Sequence, residues 1–281
     1  MTEQEIDAAG RDETPEFALR EQAALTFAKR LAAEWHDLGL GDFDRLGEHF
    51  EPAEVVELVA FAATHYGGMR MMSSWGAEAY KKNERVVLEE LPVKLAYADS
   101  VKAGAAAPSI PQPPLTPEHD ILARAEERHS PPAAWLHFLT ANPTVLSTWF
   151  GLYEAVVENG ILEPRIKQLY RVLVAQRTDF PDWAPADDLS LAQAGVTQAD
   201  REAVGMFRLD AFTPREAAAL QYAQSLVMST HVSDEIFDGL KKHFSEAEIA
   251  ELGFALAVQN GAARVSRALT AEIRDGGEWG A

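Results

Sequence analysis

The chain has 281 residues, no cysteine, 44 acidic against 25 basic side chains and a formal net charge of −19. That balance argues against general nucleic-acid binding and against docking on an anionic membrane, since both need a basic surface. The missing thiols exclude disulfides, thiolate metal sites and thiol nucleophiles.

In chain order, Met1–Gly10 is polar and acidic with no basic stretch ahead of an apolar run, so no secretory leader is expected. No run of about 18 apolar residues occurs, so no membrane-spanning helix is expected either, and the expected location is cytoplasmic. Residues 19–31 and 53–72 carry apolar side chains at three- and four-residue steps, which predicts two amphipathic helices. Met69, Met71 and Met72 crowd the second of these and are expected to fill core gaps. Arg85–Tyr97 is ambiguous and is interrupted by Pro92; Ala103–Pro114 is rich in proline and alanine and reads as a linker.

Asn142-Pro143 has the form of an N-cap followed by an N1 proline. Behind it Val145, Leu146, Trp149, Tyr153, Val156 and Val157 recur at helical spacing, and Asn159-Gly160 closes the helix. The next helix starts near Glu163-Pro164, with a buried stripe of Ile166, Leu169, Tyr170, Leu173 and Val174. A further helix is expected over 183–194. Thr213–Glu216 and Ser245–Glu248 are capping boxes, a hydroxyl followed three residues later by a glutamate. No segment shows sustained strand alternation with hairpin turns, so the fold class predicted is all-α.

The chain also resembles itself. Arg20–Ala28 (REQAALTFA) matches Arg215–Ala223 (REAAALQYA) at an offset of 195, and His49–Leu58 matches His243–Leu252 at 194. Between residues 49–70 and 243–264, nine of 22 positions are identical. The repeat is lopsided, because the second copy is preceded by several more helices. The expected organisation is a partial unit over 1–80, a linker over 81–114 and a complete helical domain over 115–281. Half a unit leaves an apolar face that must pack on the complete domain or on another chain.

Residues 113–281 resemble the carboxymuconolactone decarboxylase and alkylhydroperoxidase-D-like family, and residues 2–76 resemble the C-terminal half of that unit. The resemblance rests on Asn142-Pro143, Gly160–Arg165 (GILEPR), Leu173–Gln176 (LVAQ), Ala194–Thr197 (AGVT), the two repeated segments, and Asn260-Gly261 with Arg264. It implies a helical bundle of that type, assembled as a homo-oligomer. The peroxidase branch carries two cysteines, a histidine and a glutamate. Aligned on the flanking motifs, those positions hold Phe180, Trp183, Asp187 and Gln168 here. Thiol peroxidase chemistry is therefore excluded.

Two constellations remain. Asp179, Asp182, Asp187 and Asp188 lie in one loop with Phe180 and Trp183. They read either as a general acid or base in an apolar pocket or as helix-capping and solvated acids. Asp187, in the family's histidine position, and Asp182 are the candidates there. The second constellation is His65-Tyr66 with Arg70 and Asn260 with Arg264, where i and i+4 share a helix face. Each arginine either clamps a substrate carboxylate or pairs with an acid on a neighbouring helix. His65, Asp182 and Asp187 are thus the candidate catalytic residues. Gln168, Phe180, Trp183, Tyr66, Arg70, Asn260 and Arg264 are the candidate binding residues. The eight histidines show no metal-ligating spacing, and His137, flanked by Leu136 and Phe138, is expected in the core. No phosphate loop, dinucleotide fingerprint or nucleophile-elbow serine is present. The expectation is a cofactor-independent lyase or isomerase acting on a small anionic substrate by proton transfer, or an inactive ligand-binding or assembly protein derived from the same family.

Overall fold

The computed structural model describes residues 17–75, 117–128, 133–229 and 232–274, and among them the secondary structure is helical without strands. The ambiguous segment 85–97 and the linker 103–114 lie outside the described residues. The α-helices are α1 (Leu19–Ala33), α2 (Leu40–Gly47), α3 (Pro52–Trp75), α4 (Glu118–Arg128), α5 (Ala133–Leu139) and α6 (Pro143–Tyr153). They continue with α7 (Pro164–Arg177), α8 (Leu189–Gln193), α9 (Gln198–Gly205), α10 (Pro214–Met228), α11 (Asp234–Lys241) and α12 (Glu246–Arg274).

The helix starts follow the caps. The Asn142 side chain accepts from Val145 N, and the hydroxyls of Thr213 and Ser245 accept from the amides of Glu216 and Glu248 while those carboxylates reach back. After α6 the helix widens into one π turn over Glu154–Glu158 and stops at Gly160, whose φ is +88°. The glycine is needed twice there. Its backbone is left-handed, and a Cβ would strike the Glu251 carboxylate, which accepts from Ile161 N and Leu162 N at 2.7 and 3.2 Å.

α7 is the central helix. It packs on α9, α10 and α12 and is buried on every side from Ile166 to Ala175. The apolar stripe Ile166, Leu169, Tyr170, Leu173 and Val174 is inside, as its spacing predicts, but so are Lys167, Gln168 and Arg171. Lys167 Nζ lies 2.5 Å from Glu251 Oε1, and Arg171 lies 2.6 Å from Asp188 Oδ2 with both side chains fully buried. The helix expected over 183–194 begins only at Leu189. Phe180, Pro181 and Trp183 form a separate turn, and Asp188 caps α8 through Leu191 N.

The helix bounds of α1, α2 and α3 recur in α10, α11 and α12 at offsets of 195, 194 and 194 for their first residues. α3 and α12 make the most extensive helix contact among the described residues. They cross antiparallel, with Gly67 against the Ala257 carbonyl and Gly261 against the Ala63 carbonyl. Glycine is what permits so close a backbone approach. Gly67 and Gly261 are 194 apart, as are Ala63 and Ala257, so the contact is reciprocal about the level of His65 and Gln259. The N-terminal helices thus pack on the C-terminal ones within a single chain. His137, expected in the core, is exposed, and Met69, expected to fill a core gap, is 41% exposed. Both lie on helices whose inward faces are taken by other residues, Trp135 and Phe138 in one case and Val59, Ala63 and Met71 in the other.

Candidate functional site

The loop constellation is largely committed to packing. Phe180 and Trp183 are core residues at 4% and 0% exposure. Gln168 accepts from Arg171 Nη1 at 2.9 Å, and the Trp183 carbonyl accepts from Arg171 Nε and Nη2 at 3.1 and 2.9 Å. A buried guanidinium is thus held by Asp188, Gln168 and a carbonyl. That is the satisfied arrangement a buried charge requires, and it leaves no room for a substrate between Gln168 and Trp183. Asp187 is exposed and Asp182 partly exposed. A groove of about 690 Å³ does pass beside this loop, lined by Gln176, Asp179, Gln198, Arg201 and Glu202 among others. Asp182 and Asp187 are not among its lining residues.

The second constellation is brought together. α3 supplies Tyr66 and Arg70, four residues apart on one face; α12 supplies Arg264 across the antiparallel crossing. Both guanidinium carbons lie 4.7 Å from the Tyr66 ring centroid. The Trp35 ring, 4.4 Å from the Arg264 guanidinium, completes the stack. Arg70 Nη1 donates to the carbonyls of Leu226, Val227 and Ser229 at 2.7–3.1 Å, so it caps the C-terminus of α10. Arg264 Nε donates to Asn260 Oδ1 at 3.2 Å, and one Nη reaches the Val227 carbonyl at 3.4 Å.

Arg264 is 4% exposed, yet among the described residues no carboxylate lies within ion-pair distance of it. Burial depresses its guanidinium to about 10; the neighbouring Tyr66 phenol acts the other way, and the Arg70 charge depresses it further. Burial raises the Tyr66 phenol, against the opposing pull of Arg264 and Arg70. The Tyr66 hydroxyl is buried and makes no hydrogen bond of acceptable geometry among the described residues, although the Arg70 guanidinium is close by. Both amide atoms of Gln259 are likewise buried and unpartnered.

His65, Tyr66 and Arg70 line one groove, of about 720 Å³, between α1 and α3. Its other lining residues are apolar, among them Leu25, Ala28, Leu31, Leu58, Phe61 and Met69. The His65 ring stacks on Phe61 with centroids 4.7 Å apart. His65 therefore faces the cavity that holds two of the predicted binding residues, while Asn260 and Arg264 stand behind them.

Two partners in these networks were not foreseen from sequence. Trp35, which stacks on Arg264, follows α1 after a break in helical periodicity, and nothing in its neighbours marks it. Arg171 could have been flagged as a charge inside an apolar stripe, but its partner Asp188 is 17 residues away beyond a loop. Among the described residues no cluster of three metal-ligating side chains occurs, and no described helix is long and apolar enough to cross a membrane. Comparison of the chain with protein-family models, curated proteins and solved structures finds no match.

Proposed function

We propose that this chain is a cofactor-independent helical protein, akin to the carboxymuconolactone decarboxylase and alkylhydroperoxidase-D-like family, that takes a small organic carboxylate beside Tyr66 and moves a proton on it with His65. The observation that supports this most is Arg264. A buried guanidinium is normally paired with an acid; this one stacks on two aromatic rings and has no acid among the described residues. A carboxylate arriving next to Arg70 and Tyr66 would offset the Arg264 charge behind them and give the Tyr66 hydroxyl an acceptor. His65 lines the same groove and is the group placed to accept or return a proton while the arginines hold the anion. The reaction class is decarboxylation, isomerisation or a related lyase step.

A second reading, binding without turnover, is favoured by the loop constellation. The family's catalytic positions at Gln168, Phe180 and Trp183 are occupied here by core packing and the Arg171–Asp188 pair. One experiment addresses both. Phenylacetate should raise the melting temperature, the corresponding alcohol should not, and Arg264→Met should melt no lower than the wild type while losing the response to the acid. Solvent-deuterium incorporation next to the carboxylate, lost in His65→Gln with binding retained, supports the enzyme. Binding without incorporation supports the second reading. No response to any carboxylate contradicts both.

A further inference from the structure

The groove between α1 and α3 has a counterpart in the other half of the molecule. Adding 195 on α1 or 194 on α3, Leu25 corresponds to Leu220, Ala28 to Ala223, Leu31 to Leu226 and Leu58 to Leu252. All four counterparts are buried, on the helices α10 and α12 that α7 packs against. Leu31 is buried in both regions, but Leu25, Ala28 and Leu58 are not, so part of the surface that is core in one region lines a groove in the other, with no described helix in the place of α7.

Four differing positions decide what the groove suits. Phe61 and Met69 stand where the covered region has Ala255 and Ala263, and they are 64% and 41% exposed. The distance between packed helices depends on the side chains at the contact, so a phenyl ring and a thioether at the rim keep a helix farther off than two alanines do. They leave a narrower slot with adaptable walls. His65 and Tyr66 stand where the covered region has the neutral amides Gln259 and Asn260. They lie with Arg70 toward one end, whereas the opposite end, at Leu58, is apolar. Leu58 and Arg70 are twelve residues apart on α3, which is about 18 Å of helix.

Resting on the carboxylate reading above, we infer that the groove is the seat of the ligand's body, and that the ligand is an amphipathic monocarboxylate. Its anionic head meets Arg70 and Tyr66 and an unbranched or slender apolar tail runs between α1 and α3 toward Leu58. The charge behind the head, Arg264, has no acid of its own among the described residues. The tail exchanges water for Leu25, Ala28, Leu31 and Leu58. A compact polyacid would leave the apolar slot unfilled.

The test is a series of straight-chain carboxylates from butanoate to tetradecanoate, below their micellar concentrations, titrated calorimetrically into the full chain. Affinity is expected to rise about fourfold with each methylene, the transfer of one buried CH₂, and to level off when the slot is full. Ala28→Phe, which puts a phenyl ring into the groove lining, should abolish the gain with length, so that tetradecanoate binds no more tightly than butanoate. Ala62→Phe gives the same reading if the first variant folds poorly. Equal binding of short and long acids overturns this inference while the carboxylate reading stands. Absence of binding by every acid, or equal binding of the alcohols, removes that reading as well. A dimer in solution that Ala28→Phe dissolves would show that a second copy of the chain covers the groove, and would also overturn it.

Discussion

The N-terminal helices α1–α3 and the C-terminal helices α10–α12 are similar in sequence and in helix bounds, yet they are put to different use. In the second region Arg215 bonds Glu163, at the start of α7, as well as Glu248, and it lies 4.0 Å over the Phe244 ring. In the first, Arg20 makes the corresponding contacts to Glu54 and Phe50 with no described residue in the place of Glu163. Glu216 joins its capping box to Arg165 of α7, whereas Glu21 bonds, among the described residues, the backbone at Ala18. The same local chemistry is therefore buttressed by a central helix in one region and left facing a groove in the other. What a pair of helices does depends on what lies across it, and here the uncovered pair carries the ionisable groups His65 and Tyr66.

The largest effect is expected at α7. Asp188→Ala strands Arg171 in the core and removes the α8 cap, and should cost about 3–5 kcal/mol in a denaturant melt. Asp188→Asn should recover part of this. A loss under 1 kcal/mol would show that α7 is not the anchor assumed.

The reciprocal crossing offers a sharper version. Gly67→Ala and Gly261→Ala each drive a methyl into a backbone carbonyl of the opposite helix. Each should destabilise by about 1–3 kcal/mol, and by similar amounts, as matching positions of a symmetric contact. Markedly unequal losses would break the equivalence of α3 and α12.

Acid titration separates the regions again. Asp200 is raised by its burial, but hydrogen bonds from Arg165 and from Thr197 outweigh this and hold the carboxyl at about 2. A depressed carboxyl stabilises the fold above its unfolded value of 3.8. That contribution, about 2 kcal/mol, is lost as the pH falls from near 4 through 2. Asp200→Asn should lower stability by about 2 kcal/mol above pH 5 and flatten the profile between pH 4 and 2, where the two proteins converge. The smallest expected effect is at the paired arginines. Arg215→Ala should cost about 1 kcal/mol through its network, whereas Arg20→Ala, whose partner is solvent-exposed, should leave the melting temperature within error.

Local signals carried the fold well. The caps at Asn142, Thr213 and Ser245, the stop at Asn159-Gly160 and the stripe along α7 are short-range rules, and each holds in the structure. What the sequence did not show depends on distant partners. Lys167 and Arg171 are buried because Glu251 and Asp188 arrive to neutralise them, and no periodicity announces that. Phe180 and Trp183, expected at a pocket wall, are core because the chain tucks a turn inward before α8. Tyr66, Arg70 and Arg264 were legible as i, i+4 pairs on two separate helices. Their meeting at one ring depends on the close crossing that Gly67 and Gly261 permit. Whether Arg264 pairs with an acid is a question of tertiary structure that sequence leaves open.

The proposed function requires a carboxylate beside the Arg264 guanidinium. The direct measurement is the Nε–Hε resonance of Arg264 in protein labelled with ¹⁵N-arginine, assigned by its loss in Arg264→Met and followed through a titration with dodecanoate. The account predicts a single-site shift of this signal that saturates together with the calorimetric isotherm and is absent with dodecanol. A signal that stays in place at saturating dodecanoate, or that moves equally with the alcohol, would contradict it.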